Sequence, residues 1–377
     1  MHSCRLLYTL NKPSALMKTI LYLLGILLLV QVVLIVPSCQ KDPDVSPINE
    51  SEVTVDLTTV PYPVLSDYKF FRGVMKYQVP ASDVIAYAPA TPLFTDYALK
   101  KRFIWMPDGE KASYVADNKV LEMPVGTVLI KTFYYKNVLP NGATRIIETR
   151  LLIRKASGWI FANYKWNDEQ TEAYLTTTAS TIPITWMQDG EQKTTNYRIP
   201  SETECLICHK HQGQPVPIGI KPQNLNNQYQ YPEGYRNQLN KLIQEGYLEP
   251  GLPSNIYSTI NYKDHSKSVD QRLRSYLDAN CAHCHAEGGH CDYRPMRLAF
   301  SETVDPVNIG LCVEPDEFVG AEYTSIITPS QPDRSVMRLR LGTNQPNLRM
   351  PLIGRTIVHE EAVELLEEWI NWKKDCH

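Results

Sequence analysis

Apolar and polar positions follow two different rhythms along this chain, and the change falls at Pro200. From about residue 62 to 200 the apolar residues come in short β-branched and aromatic runs. Thr127 to Lys136 is one; Arg145 to Arg154, with Ile146, Ile147, Leu151 and Ile153, is another; Gly158 to Trp166 is a third. Ile182 to Trp186 and Thr194 to Ile199 continue the series. Asn141-Gly142 and Asp189-Gly190 fall between runs, where a two-residue hairpin turn wants residues that accept positive φ. Short strands joined by tight turns predict an antiparallel sandwich or barrel.

After Pro200 the period lengthens. Ser201 with Glu204 three residues on forms a capping box that predicts a helix start at Ser201. That helix would carry Cys205, Cys208 and His209 on one side. Gly213 to Pro222 reads as a Pro/Gly loop, and Arg236 to Tyr247 as a helix with Leu239, Leu242, Ile243 and Tyr247 on one face. Val269, Leu273, Tyr276, Leu277 and Asn280 recur at three- and four-residue steps, predicting an amphipathic helix that runs into Cys281. Glu360 to Lys374 repeats the pattern with Ala362, Leu365, Leu366, Trp369 and Ile370, acidic early and basic late as the helix dipole favours.

The first forty residues ask for another explanation. Ile20 to Val36 is apolar but for Gly25 and Gln31, follows Lys12 and Lys18, and ends in Val36-Pro37-Ser38-Cys39. A basic flank, an apolar core and a small residue before a cut predict an export signal over 1–38. Cys39 resembles the lipidated first residue of a bacterial lipoprotein, although Pro37 is unusual in that setting. An uncleaved anchor helix is the alternative, and Met17 is an alternative start to Met1. Residues 39–61 read as a flexible tether. With 38 basic against 41 acidic residues there is no nucleic-acid footprint.

The most specific chemistry sits in Cys205-Leu-Ile-Cys208-His209 and Cys281-Ala-His-Cys284-His285. Both are Cys-x-x-Cys-His, the attachment pattern of a c-type haem. Two thiols three apart share a helical face, each able to form one thioether, and the adjacent histidine supplies the proximal ligand. A structural zinc site, a redox dithiol or disulfides would explain the thiols, but none needs the histidine twice. The pattern therefore predicts two covalent haems held by Cys205, Cys208, Cys281 and Cys284, with iron bound by His209 and His285. Of the other cysteines, Cys291 and Cys312 are expected to pair, leaving Cys376 free.

Arg349-Met350-Pro351-Leu352 lies between the last two predicted helices, and Pro351 biases Met350 toward an extended backbone. A helix running into Cys-x-x-Cys-His, this loop and a closing helix resemble class I cytochrome c, where the loop methionine is the distal ligand. The resemblance gives Met350 that role, with Met337 and Met296 as alternates. For the first iron the candidates are His265, Met187, Met123 or Met106, or an open position.

The exported part also resembles an uncharacterised family of bacterial dihaem c-type cytochromes. The matching stretches are Thr91 to Met106, Pro124 to Phe133, Ile147 to Ile153, both haem motifs, and Met350 to His359. The resulting fold expectation is α+β multidomain. It has an antiparallel β-sandwich-like domain at 62–200, a first haem region at 201–266, and a mostly α-helical cytochrome c-like domain at 267–377. The resemblance implies export, two haems and operation beside a parallel β-helix protein; redox protein partners follow from the electron-transfer expectation, and membrane attachment through lipid from Cys39. Electron transfer is the first expectation. A dihaem peroxidase- or oxidase-like enzyme is the second. A carbohydrate- or partner-binding β domain, suggested by Trp105, Trp159, Trp166 and Trp186, is the third.

Overall fold

A computed structural model describes residues 53–376, so the expected signal, Cys39 and most of the tether lie outside the described residues. The described part belongs to one compact unit. Small two-stranded pairs form between β1 (Phe71–Arg72) and β2 (Val79–Pro80), β11 (Lys210–His211) and β12 (Gln214–Pro215), and β13 (Gln228–Tyr231) and β14 (Gly234–Asn237). The rest of the strand structure is one connected antiparallel sheet of eight strands. Its members are β3 (Ile85–Ala86), β4 (Leu99–Trp105), β5 (Val128–Val138), β6 (Ala143–Lys155), β7 (Gly158–Trp166), β8 (Ala173–Thr176), β9 (Ser180–Gln188) and β10 (Glu191–Ile199).

The expected antiparallel strands are present, hydrogen-bonded into one connected sheet. Strand β5 explains this. It pairs with β6 on one edge, while its other edge pairs with β4 from Val128 to Tyr134 and then meets β9 at Val138. Both hairpin turns form as expected, with Gly142 at φ 70° and Asp189 and Gly190 at 53° and 84°.

Strand alternation sends neighbouring side chains to opposite cores. Phe103, Val128, Ile130, Leu151 and Ile153 join one cluster, and Ile104, Leu129 and Leu152 another. Residues 53–61, expected to belong to the tether, pack on the first cluster instead. Val60 is buried, and Val53, Val55 and Leu57 lie against the cluster, an apolar pattern that a free tether would leave in water. The second cluster is completed by Ile220, Leu225, Leu239, Leu242 and Leu248, so the sheet and the 220–248 segment share one core.

Six helices follow among the described residues: α1 (Glu202–Cys208), α2 (Pro222–Leu225), α3 (Gln238–Gln244), α4 (Val269–Asn280), α5 (Val336–Leu341) and α6 (Glu360–Trp372). Ser201 and Glu204 cap α1 reciprocally, as the spacing requires. The region after residue 200 is not mostly helical, contrary to expectation. Only α4 and α6 exceed seven residues, because only those two stretches sustain an apolar 3.6 period; turns and loops fill most of the rest. These two helices pack together, and Leu365, Leu366, Trp369 and Ile370 are almost fully buried. Each such side chain contributes about 1.5–3 kcal/mol.

The disulfide joins Cys312 to Cys376 and corrects the expected Cys291–Cys312 pair. The chain leaving α6 returns past the Cys312 loop, giving a Cα–Cα distance of 5.7 Å, while Cys291 is buried beside Cys284, whose carbonyl its N–H contacts at 3.0 Å. The bond closes a separation of 64 residues. Cys376→Ser is therefore expected to cost about 4 kcal/mol by chain entropy. Urea unfolding of the variant against wild type measures it, and an unchanged midpoint would leave the bridge without a structural role.

Candidate functional site

Helix α1 lies against β7 and brings Cys205, Cys208 and His209 to a cavity of about 1020 Å³. Leu129, Leu152 and Trp159 line it from the sheet, and Ile218 and Pro217 from the Pro/Gly loop, so that loop does wrap the space as its composition suggested. His209 Nδ1 contacts the Val216 carbonyl at 3.0 Å. That contact makes Nδ1 the protonated nitrogen and leaves Nε2 with a free lone pair, the usual tautomer of a metal-binding imidazole. Burial first, then Lys131 and His283, pushes His209 down to about 3, so the ring is neutral, as ligation requires.

The second motif follows α4 directly. His285 is buried and lines a smaller, largely apolar cavity of about 100 Å³ with Leu273, Tyr276, Leu298 and Leu366. Its Nδ1 is buried without a hydrogen-bond partner, and burial pushes the ring down to about 4. Cys281 lines the same cavity and is pushed up to about 12, again by burial. Met350 lies on this cavity too, and so do both alternates, Met337 and Met296. Tertiary structure therefore gathers the expected ligand set without choosing among the three methionines.

The residues fit a haem unequally. The first cavity has the size of a cofactor site, a lining that mixes apolar sheet residues with charged ones, and an imidazole with one nitrogen already engaged. The second has the right donors but too little volume for a porphyrin as it stands. Pro315, Asp316 and Glu317 line part of it, and Glu317 pairs with Arg294 and Arg340. Opening would have to move some of this lining.

The two motifs meet. Cys208 Sγ, Cys284 Sγ and a ring nitrogen of His283 all lie within 4.8 Å of one another. Backbone contacts hold the approach: Gln212 N–H donates to the Gly288 carbonyl at 2.9 Å, and Cys284 Sγ lies 3.7 Å from the Ile207 carbonyl. Cys208 is the more acidic thiol, pushed down to about 4 because Cys284 donates to it and His283 lies beside it; Cys284 is raised correspondingly. A four-cysteine zinc site is not assembled, since Cys205 turns to Asn163 and Cys281 to the smaller cavity. Three donors remain that would suit a thiophilic ion.

Of the candidates for the first distal position, Met123 lines the large cavity, whereas His265 is exposed and neither Met106 nor Met187 reaches that lining. His283 lines it as well, with Nδ1 buried and unpartnered. Sequence reading passed over His283 as a spacer within the motif. Trp105, Trp159, Trp166 and Trp186 are each 9 % exposed or less, so they offer no aromatic platform for a sugar.

Two further residues hold the Met350 loop. Arg355 is 3 % exposed and donates to the carbonyls of Met350, Arg340, Leu341, Thr343 and Ile357 and to Asn344 Oδ1. Buried Asp96 accepts from the Thr356 and Ile357 N–H groups at 2.6 and 3.2 Å. Both lie inside stretches that carry the family resemblance, and that was their only sequence signal.

His359 sits behind this loop, stacked on Phe94 at 4.0 Å and flanked by the Tyr262 and Tyr276 hydroxyls. Burial pushes it down to about 3, so it is neutral in the fold and protonates near its ordinary value only when the chain unfolds. Its stability contribution is complete above about pH 6.5 and is lost as pH falls toward 3, at about 1.4 kcal/mol per unit. Urea unfolding at pH 7 and pH 5 should show a slope to which His359, His209 and His285 all contribute, and His359→Gln should flatten it by the His359 share. An equal slope in both would mean that His359 is not among its sources.

Comparison of the chain with protein-family models, with curated proteins and with solved structures finds no match.

Proposed function

We propose that this chain is an exported, lipid-anchored electron carrier with two c-type haems, one at Cys205, Cys208 and His209, the other at Cys281, Cys284 and His285. The observation that carries the reading is the pairing of each motif histidine with its own cavity, while the motifs touch at Cys208 and Cys284. When bound, haem iron supplies reversible one-electron chemistry. The chain's own part is to hold two neutral imidazoles, keep water from the iron with apolar side chains, and offer the Met350 sulfur at the second cavity. Adjacent attachment points favour exchange of electrons within the chain. Partners would be redox proteins outside the cytoplasm, including a parallel β-helix protein if the family resemblance extends that far.

Expression in a host competent for cytochrome c maturation tests the reading. Intact mass should rise by two haems, and Cys208→Ser and Cys284→Ser should each disturb attachment at one motif. An unmodified mass, or stoichiometric zinc, refutes it.

The volume of the first cavity favours a second reading, in which small molecules reach an open first iron. Carbon monoxide separates the two, because an electron carrier with both irons six-coordinate does not bind it readily.

A further inference from the structure

One wall of the large cavity carries three cations in a row. Across three neighbouring strands Arg102 stands opposite Lys131, and Lys131 opposite Arg150. All three line the cavity. The adjacent row on the same sheet face is Ile104, Leu129, Leu152 and Phe161, entirely apolar. Like charges placed directly opposite one another destabilise a sheet, so this row needs a compensating partner.

The described residues supply only part of it. Glu148 binds Arg150 through both carboxylate oxygens, and Tyr197 donates to the same carboxylate at 2.6 Å. Among the described residues the side chains of Lys131 and Arg102 form neither an ion pair nor a hydrogen bond, and the Lys131 amine lies 4.9 Å from the Phe133 ring. Of the other carboxylates on the cavity, Asp278 pairs with Lys221 and Glu204 with Arg198, while Glu122, Glu287 and Glu302 are exposed and form no ion pair with the row. The smaller cavity differs, because there Arg294 and Arg340 pair with Glu317. Burial first, then the flanking guanidinium groups, pushes the Lys131 amine well down, and an anion bound beside it would favour its charged form.

We propose that Arg102, Lys131 and Arg150 form an oxyanion-binding row that takes a carboxylate or small inorganic oxyanion within the large cavity. The anion has two possible sources: the propionates of a haem attached at Cys205 and Cys208, or a free anion that enters the cavity. The first source rests on the haem reading, and the second does not. Guanidinium groups bind oxyanions in bidentate fashion and an ammonium adds a point charge, so the row matches planar or tetrahedral oxygens.

The test compares full-length wild type with Lys131→Met and Arg102→Met, after intact mass has established the haem content. Propionate binding predicts that the propionate bending bands in the resonance Raman spectrum shift in both variants, with no dependence on added anion. Free-anion binding predicts saturable calorimetric binding of inorganic phosphate or nitrite to wild type, weakened at least tenfold in Lys131→Met. Lys131→Gln serves if methionine disturbs the sheet. Unshifted bands together with absent or variant-independent anion binding overturn the proposal. In a chain that carries no haem the haem reading fails by mass alone, and calorimetry still decides the anion site.

Discussion

Replacing Met350 with alanine in the haem-loaded protein should lower the midpoint potential of one centre by on the order of 0.1 V and leave the other unchanged. A thioether is a soft ligand that favours ferrous iron, so methionine/histidine ligation raises the potential. Truncation should also open that iron to carbon monoxide. The structure sharpens the comparison with the two alternates. Met337 and Met296 line the same cavity as Met350 and His285, so the same substitution at each of them is the control. If Met350→Ala leaves both potentials and both spectra as they were while Met337→Ala or Met296→Ala shifts one, the distal ligand has been misassigned. If none of the three acts, the second iron is not ligated by methionine at all.

Arg355→Ala should be the most destabilising single change in the described structure, costing about 4 kcal/mol or more. The guanidinium is nearly inaccessible and satisfies five carbonyl groups and one side-chain amide oxygen. Each buried acceptor left unpaired costs about 1–3 kcal/mol, and relaxation recovers only part of the sum. Lysine cannot replace it, because three rotating donors on a flexible stem do not reproduce a planar fork. Denaturant unfolding should show Arg355→Lys nearly as weak as Arg355→Ala. If both variants unfold at the wild-type midpoint, the network does not hold the Met350 loop. Because Asp96 anchors the same loop through Thr356 and Ile357, Asp96→Ala should combine with Arg355→Ala less than additively.

Local signals were legible where the physics is local. The Ser201–Glu204 box, the Asn141-Gly142 and Asp189-Gly190 turns and the apolar stripes of α4 and α6 all act over a few residues, and each appears where its sequence pattern lies. Strand β4 is legible only through the resemblance, since in Leu99–Trp105 three consecutive cations, Lys100, Lys101 and Arg102, precede three apolar residues and leave no alternating strand pattern. Residues 53–61 were misread because composition describes the chain's cost of ordering and not the sheet face that repays it. The disulfide was misread for a related reason. Pairing depends on which loops return to one another, and spacing along the chain carries no such information.

The sequence by itself determined the two Cys-x-x-Cys-His pentapeptides, each placing two thiols and an imidazole within five residues, and it determined the helices and turns that lead into them. Only the tertiary structure decided that the two motifs touch at Cys208, His283 and Cys284, that three methionines share one cavity, and that Arg102, Lys131 and Arg150 align across three strands. Cys208 stands 75 and 76 positions from His283 and Cys284, Met296 stands 54 from Met350, and Arg102 stands 48 from Arg150. Their register is set by strand pairing and by packing of loops against the sheet, which are collective properties of the folded chain that no short window of sequence contains.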